Sequence, residues 1–505
     1  MLAKDIGSTY FVQACSVVSN LLFIPVLIHI MGVEAYGFVA IYTFIQAWIF
    51  ILDAGLTPSL SRAMTHYLSG EITLKNISNL IKTIEVTFAF FSFIMCLATF
   101  WFNNLLLSFI LNNDALKHEA VGLTMFLIVL LSCTRLFETI YRRALLGLEK
   151  TFSYNKINLF FVIFRMLLSY FFLCFEPSVN YFFAAQIIAT CLSILFYANA
   201  TYNTLAAKFL FGSFSLKAIR EVKGYAGGLF LIMLLTLVVT QIDRIILTKN
   251  VSMLDISYYG IAMTLSGSII LLTTPVTQVL LPRMTFYVAN NSKELLLKLY
   301  RLSTQINTAI ACSCGIVLLF FAKECVFLWT NNLELSNKVE HIVRILSLGF
   351  IFNSVYYFPV AFQLAHGYTK ISVYLGLFFL LFVVPLYFYF IPVYGIVSAA
   401  YIFMMIQFIN VTIGSLITYK IKLNKFFIKW WLYDIIIPIS SVFIFIAMLK
   451  ETIALDTDNR MTLGLEVALL ALSGILVSIA TSKILRKEVV LRWNYLYKAI
   501  INKYC

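Results

Sequence analysis

The chain has 505 residues, of which 61% are hydrophobic and 12% are charged, and its formal net charge is +14 at pH 7. Because a soluble domain has about 25% charged residues, this composition excludes a soluble fold and predicts an all-α polytopic membrane protein. The basic excess would suit a nucleic-acid partner, but a membrane protein also concentrates Lys and Arg in its cytoplasmic links. The distribution of Lys and Arg along the chain distinguishes these two explanations.

Fourteen apolar runs are long enough to cross a bilayer, which takes about 20 residues of helix. They lie at 7–30, 37–62, 83–111, 119–141, 157–175, 179–204, 225–248, 257–282, 302–330, 339–364, 371–391, 395–419, 430–449 and 461–483. Links rich in Lys and Arg alternate with links that are neutral or mildly acidic, and Arg142 and Arg143 belong to one of the basic links. This alternation places the basic links and both termini in the cytoplasm. The basic cytoplasmic links account for the net charge of the chain. Their predicted partners are the headgroups of membrane lipids, and no nucleic acid is expected to bind.

The second span is interrupted near its inner end. The stretch from Gly32 to Arg62 contains a long apolar run that is broken by Asp53, Gly55 and Pro58. An acid and two helix breakers inside hydrocarbon are costly unless they line a polar path or pack against protein. The sequence therefore indicates a functional or packing role for this break.

Three spans of the first half place charged residues at one depth. The helical rise of ~1.5 Å per residue puts Asp53, Arg135 and Arg165 about 10–14 Å from the inner face. Glu138 follows Arg135 by three residues, so the two side chains share a helix face. One interpretation is that these groups form ion pairs that hold the helices together. The other is that Arg135 and Arg165 bind a pyrophosphate, whose oxygens the guanidinium fork matches, while Asp53 and Glu138 balance charge or couple transport to an ion gradient.

The second half of the chain repeats the first. Residues 35–37, 60–62, 147–150 and 177–185 are echoed at 258–260, 281–283, 367–370 and 392–400, with offsets of about 215 to 223 residues. An offset of about six helices predicts two pseudo-symmetric lobes of the same topology. The counterpart of the broken span has prolines but no acid in place of Asp53. We expect a hinge or packing role for four residues: Gly55, Pro58, Pro275 and Pro282.

The predicted organisation has five parts. They are an N-lobe at 1–204 (helices 1–6), a cytoplasmic linker at 205–224, a C-lobe at 225–420 (helices 7–12), helices 13 and 14 at 421–485, and a basic cytoplasmic tail at 486–505.

Two motifs resemble a known family. The first is Gly32, Glu34, Tyr36 and Gly37, followed after a span by Asp53, Gly55, Leu56, Pro58, Leu60 and Arg62; the second is the stretch from Tyr141 to Lys150. Both resemble the Wzx-type O-antigen flippases of the multidrug/oligosaccharidyl-lipid/polysaccharide exporter superfamily. The resemblance implies a V-shaped transporter with six plus six helices and two added ones. It implies that undecaprenyl-pyrophosphate-linked repeat units, of O-antigen or capsule type, are flipped from the inner to the outer leaflet of the bacterial cytoplasmic membrane.

Two other functions stay open at this point. A multidrug or metabolite antiporter of the same fold is the closest alternative, although two intramembrane arginines argue against a cationic drug. A glycan polymerase or ligase fits less well, because the outer links are too short for the catalytic loop that such an enzyme needs. We expect no enzymatic activity, no metal and no cofactor, with a proton or Na⁺ as candidate coupling ions. Glycan polymerase and chain-length machinery are candidate protein partners.

Overall fold

The computed structural model describes residues 2–53, 55–101, 121–205, 212–215, 230, 234, 235, 237–366, 370–422, 427–452 and 459–491. Its contacts divide the chain into two compact units, Met1–Ser257 and Tyr258–Cys505. The limits of the predicted lobes stay predictions. Most of the predicted linker at 205–224, much of the first part of the seventh span and the tail beyond residue 491 lie outside the described residues.

The described part of the first unit consists of helices and the turns that follow several of them. The helices are α1 (Leu2–Met31), α2 (Val33–Ile49), α3 (Leu56–Leu68), α4 (Leu74–Trp101), α5 (Val121–Gly147), α6 (Thr151–Phe175) and α7 (Val179–Leu205). A further helical segment covers 237–250. Helix α8 (Met253–Ala289) begins in this unit and continues into the second one.

The second unit is helical as well, and some of its helices are separated by π-helical turns. They are α9 (Lys293–Asn307), α10 (Ser313–Phe320), α11 (Ala322–Thr330), α12 (Leu333–Ala365), α13 (Lys370–Ile409), α14 (Ser415–Lys422), α15 (Phe427–Trp430), α16 (Ile437–Thr452) and α17 (Arg460–Thr481). No β-strand occurs among the described residues. A helix satisfies its own backbone hydrogen bonds, which is what a chain in hydrocarbon requires.

Twelve helical stretches of the described chain are long and apolar enough to cross a membrane. One of them, Lys370–Tyr419, has 50 residues, which is enough for the two spans predicted at 371–391 and 395–419. Its helix is kinked at Gly395, where φ is 60°. The predicted seventh span is only partly described. These two cases account for the difference from fourteen, and the prediction of an all-α polytopic membrane protein is confirmed.

The predicted break in the second span is present. Helix α2 ends in a 3₁₀ turn at Phe50–Asp53, and Gly55 has the left-handed φ of 76°. The Asp53 carboxylate accepts hydrogen bonds from Thr57 N at 2.8 Å and Thr57 Oγ1 at 2.7 Å. Pro58 lies in the first turn of α3, where a residue without an N–H is tolerated. The break is therefore a helix end followed by a capped helix start.

The counterpart in the second half has a different backbone. Helix α8 is continuous through positions 275 and 282, and none of its residues has a positive φ. The reason is that this stretch has no left-handed glycine and no capping acid to start a new helix. The two halves thus differ here, and the hinge or packing role of Gly55, Pro58, Pro275 and Pro282 stays a prediction.

Helices α3, α4, α5 and α7 form the core of the first unit. Leu60, Ile81 and Leu136 are fully buried in it. Helices α3 and α5 approach so closely that a Cβ on Gly147 would lie 2.3 Å from the carbonyl oxygen of Ser61. A small residue at a helix crossing allows this approach, which is how helices associate in a bilayer. The tight core fixes α5, the helix that carries Arg135 and Glu138.

The last two spans are fastened to α9. The buried Asp434 accepts from Arg301 Nε at 2.6 Å, Arg301 Nη2 at 2.8 Å and Gln305 Nε2 at 2.5 Å. Gln305 Oε1 in turn accepts from the backbone N–H groups of Ile484 and Leu485. A bidentate guanidinium–carboxylate pair is a strong and directional contact. Helices α16 and α17 are therefore an integral part of the second unit.

Candidate anion-binding site

Glu138 bridges two arginines inside the first unit. Arg135 Nη1 on the same helix, α5, donates to Glu138 Oε2 at 3.2 Å. Arg165 Nη2 on α6 donates to Glu138 Oε1 at 2.8 Å. The Glu138 side chain is 2% exposed, and those of Arg135 and Arg165 are 17% and 10% exposed. Three of the four charged residues predicted from the sequence therefore meet in one buried cluster.

Helix α7 supplies neutral partners to the same two guanidinium groups. Arg135 Nη2 donates to Gln186 Oε1 at 3.4 Å, and Gln186 Nε2 donates to Ser169 Oγ at 3.0 Å. Arg165 Nη2 also donates to Ser193 Oγ at 3.1 Å. Gln186 and Ser193 are seven residues apart, so they lie on one face of the helix. Because these partners are uncharged, they orient the arginines without cancelling their charge.

A fourth helix reaches the cluster. Tyr42 of α2 interacts electrostatically with Arg135, Arg165 and Glu138, and its ring centroid lies 5.7 Å from that of Phe183. The cluster therefore joins the helix that precedes the Asp53 break to α5, α6 and α7.

The cluster has more positive charge and more donors than its own acceptors satisfy. Two guanidinium groups face one carboxylate, which leaves a net charge of +1. Arg135 Nε and Arg165 Nε are buried and have no hydrogen-bond partner in the described part of the chain. A buried donor without an acceptor is unfavourable, and in a native protein it calls for an explanation. A negatively charged ligand oxygen would satisfy both the donors and the charge.

Asp53 makes no hydrogen bond to this cluster within the described part of the chain. Both hydrogen bonds of its carboxylate are to Thr57, at the start of α3. The equal depth calculated from the helical rise did not bring Asp53 into the group of Arg135, Glu138 and Arg165. Helical rise gives depth along one axis only, whereas the direction of a side chain depends on the local backbone.

The second unit contains a buried group of neutral hydrogen-bonding side chains. Asn307 Nδ2 donates to the backbone oxygen and the Oγ of Ser354 at 3.3 Å each. Thr273 Oγ1 donates to Asn307 Oδ1 at 2.7 Å.

Sequence reasoning missed Tyr42, Gln186 and Ser193. The last two could have been found, because Gln186, Thr190 and Ser193 recur at helical spacing on an otherwise apolar span. Tyr42 carries no such signal, since aromatic residues are common throughout this chain. Among the described residues, no three His, Cys, Asp or Glu side chains form a group that could hold a metal ion.

A family model described as "Polysaccharide biosynthesis protein" matches residues 2–288. A search of curated protein sequences finds no match.

Several solved structures share the fold. The lipid II flippase MurJ in an inward closed conformation has a TM-score of 0.71 and 18% identity, with 97% of this chain and 100% of that chain covered. An inward-facing multidrug resistance transporter of the MATE family in the MOP superfamily has a TM-score of 0.65 and 13% identity, covering 82% and 98%. A mutant of the Vibrio cholerae MATE transporter VcmN has values of 0.58 and 15%, covering 84% and 97%. At these identities the likeness concerns the fold.

Proposed function

This chain belongs to the polysaccharide biosynthesis protein family, and from that premise we propose that it flips undecaprenyl-pyrophosphate-linked oligosaccharides from the inner to the outer leaflet of the bacterial cytoplasmic membrane. The repeat units are of O-antigen or capsule type, and the mechanism is alternating access. Glycan polymerase and chain-length machinery would act on the product at the outer face. Both chain termini lie in the cytoplasm.

The excess of buried positive charge supports this proposal. Such a substrate joins its lipid to its sugar through phosphates, so the group that every substrate of this class shares is an anion. Arg135 and Arg165 offer guanidinium groups, which bind phosphate oxygens in pairs and stay ionised. Their Nε atoms are buried and lack partners. The cluster can therefore accept phosphate oxygens without breaking every internal bond.

Glu138 acts in this proposal as an internal counter-ion. It neutralises one of the two arginine charges in the empty carrier, at 3.2 Å from Arg135 and 2.8 Å from Arg165. A phosphate group that enters competes with this carboxylate for the same donors. Exchange of one anion for another allows binding without leaving a buried charge unpaired, and release restores the original pairs. The competition with Glu138 therefore limits the affinity of the arginines for the phosphate, so that the substrate can dissociate.

The ion that drives transport is proposed to act through Asp53 or Glu138, with a proton or Na⁺ as candidates. Glu138 becomes available to a cation at the moment when phosphate displaces it from the arginines. Asp53 connects α2 to α3 through Thr57, so neutralising it would weaken the start of α3. Each carboxylate thus offers a physical link between ion binding and a change in the first unit.

The alternative functions are less well supported. A multidrug antiporter has the same fold, as the MATE structures illustrate, but a cationic drug would be repelled by a cluster of net charge +1. A glycan polymerase or ligase would need catalytic groups outside the membrane, and the short predicted outer links offer little room for them.

The direct test is transport by the full-length protein in liposomes that contain a fluorescent undecaprenyl-pyrophosphate-linked oligosaccharide. Arg135→Ala and Arg165→Ala should each lower the flipping rate at least tenfold, since each removes a charge-assisted contact worth about 1.5–3 kcal/mol. Lys156→Ala, which removes an exposed positive charge from α6, the helix of Arg165, is the matched control. Wild-type rates for both cluster variants would rule out the phosphate role.

A further inference from the structure

A third arginine lies on the face of α5 that carries the cluster. Arg142 follows Arg135 by seven residues and Glu138 by four, and these spacings place all three on one side of the helix. The helical rise separates Arg142 from Arg135 by about 10 Å along the axis, toward the predicted cytoplasmic end. Arg142 also interacts electrostatically with Glu138. From its sequence position alone, Arg142 is predicted only to belong to a basic cytoplasmic link.

Arg142 is held by a neutral partner. Its Nη2 donates to Tyr154 Oη on α6 at 2.8 Å, and its Cζ lies 5.4 Å from the centroid of the Tyr154 ring. Within the described residues, no carboxylate oxygen lies within 4 Å of this guanidinium, whereas Arg135 and Arg165 share Glu138. A phenol and its ring orient a guanidinium without neutralising it. Arg142 therefore keeps its full positive charge.

A buried hydroxyl group completes the arrangement. Tyr197 of α7 stacks on Tyr154, with ring centroids 6.1 Å apart and an interplanar angle of 27°. Tyr197 is fully buried, and its Oη has no hydrogen-bond partner in the described part of the chain. The hydroxyl lies in the electrostatic field of Arg142, Glu138 and Arg165. A buried phenol that has no acceptor and lies in the field of two arginines and one carboxylate can donate to an anion that enters.

We propose that Arg142, Tyr154 and Tyr197 form an inner subsite that binds a phosphate group one step before Arg135 and Arg165 receive it. Arg142 supplies the charge, Tyr154 orients it, and Tyr197 Oη donates to a phosphate oxygen. This inference rests on the proposed function and adds a second binding subsite on the cytoplasmic side of Arg135 and Arg165. With two subsites along one face of α5, the anion can move by about 10 Å from one guanidinium group to the next.

Tyr197→Phe gives the sharpest test, because it removes only the unpaired hydroxyl. If the hydroxyl had a structural role, its loss would lower the unfolding temperature. An unpaired donor has no bond to lose, so we expect an unfolding temperature equal to or above that of the wild type. Binding of inorganic pyrophosphate by the full-length protein in detergent, measured by ³¹P NMR titration, should weaken about tenfold, because the lost hydrogen bond is to a charged oxygen.

Arg142→Ala should weaken pyrophosphate binding more than tenfold, since it removes a charge-assisted contact. Arg143→Ala changes the protein's charge by the same amount at an exposed neighbouring position and should leave binding unchanged. If Arg142→Ala fails to fold, Arg142→Lys replaces it; Lys keeps the charge but loses the planar fork, so weaker binding is still expected.

The outcomes separate this inference from the proposed function. Wild-type affinity in both Tyr197→Phe and the Arg142 variants, with weak binding in Arg165→Ala, overturns the subsite and leaves the function standing. No pyrophosphate binding by the wild type contradicts both. Equal competition by glycerol phosphate, the headgroup of phosphatidylglycerol, would assign the subsite to a membrane phospholipid and overturn its place in the transport path.

Discussion

Glu138 is the carboxylate on which the buried cluster depends. Arg135 comes from its own helix and Arg165 from the next one, so one acid joins α5 to α6. The attraction between buried charges offsets the cost of taking them out of water only while all partners are present. Removing the acid leaves two guanidinium groups in a poorly solvated place, whereas removing one arginine leaves a balanced pair.

Glu138→Gln should lower the free energy of unfolding by about 3–5 kcal/mol, because breaking a buried ion pair leaves an uncompensated charge. The double variant Glu138→Gln/Arg165→Met should recover part of this loss, since the second change removes one of the stranded charges. Thermal unfolding of the purified protein in detergent measures both effects. Glu71→Gln, at an exposed surface pair, is the control, and a Glu138→Gln protein as stable as this control would contradict the prediction.

At the scale of elements, the boundary between α2 and α3 shows how a few residues stop one helix and start the next. Gly55 takes a backbone conformation that a residue with a Cβ rarely adopts. Asp53 then satisfies an N–H of Thr57 in the first turn of α3, a donor that has no partner within the helix. Cap and glycine together explain why a long apolar run ends at this point.

Asp53→Ala should destabilise the protein by about 0.5–2 kcal/mol, the usual cost of losing a helix cap. Asp53→Asn should cost less, because the amide oxygen can still accept from Thr57 N. The unfolding temperature tests the cap, and flipping in liposomes under an imposed pH gradient tests the coupling role. A capping role alone predicts normal transport by Asp53→Asn; lost transport at normal stability would assign Asp53 to ion coupling.

For the molecule as a whole, the sequence predicted the parts that depend on periodicity and failed where side-chain direction decides. The spans and the pairing of Arg135 with Glu138 follow from apolar run length and helical spacing. The hydrogen bonds that the arginines donate to Gln186 and Ser193 depend on the rotation of α7 about its axis relative to α5 and α6. The sequence of a single span does not encode this rotation. The sequence also did not show that α8 continues through Pro275 whereas the chain breaks at Gly55, because proline alone does not end a helix.

The orientation of the chain can be tested through its C-terminal end. A green fluorescent protein fused after Cys505 should fluoresce, and alkaline phosphatase fused there should be inactive, because the positive-inside rule places this end in the cytoplasm. Fusions after residue 334, in a predicted outer link, should show the opposite pattern. An active phosphatase after Cys505 would contradict the predicted cytoplasmic location of this end, which means that either the orientation or the even number of spans is wrong.

The fastening of α16 and α17 has a consequence for biosynthesis. Arg301 leaves the ribosome 133 residues before its partner Asp434, and Gln305 precedes Leu485 by 180 residues. At 5–20 residues per second, the arginine waits on the order of ten seconds for its carboxylate. During that interval the nascent second unit carries a charged group that has not yet found its buried site. The second unit can therefore mature only when synthesis is nearly complete, and a chain that stops after α14 should be a substrate for membrane proteases.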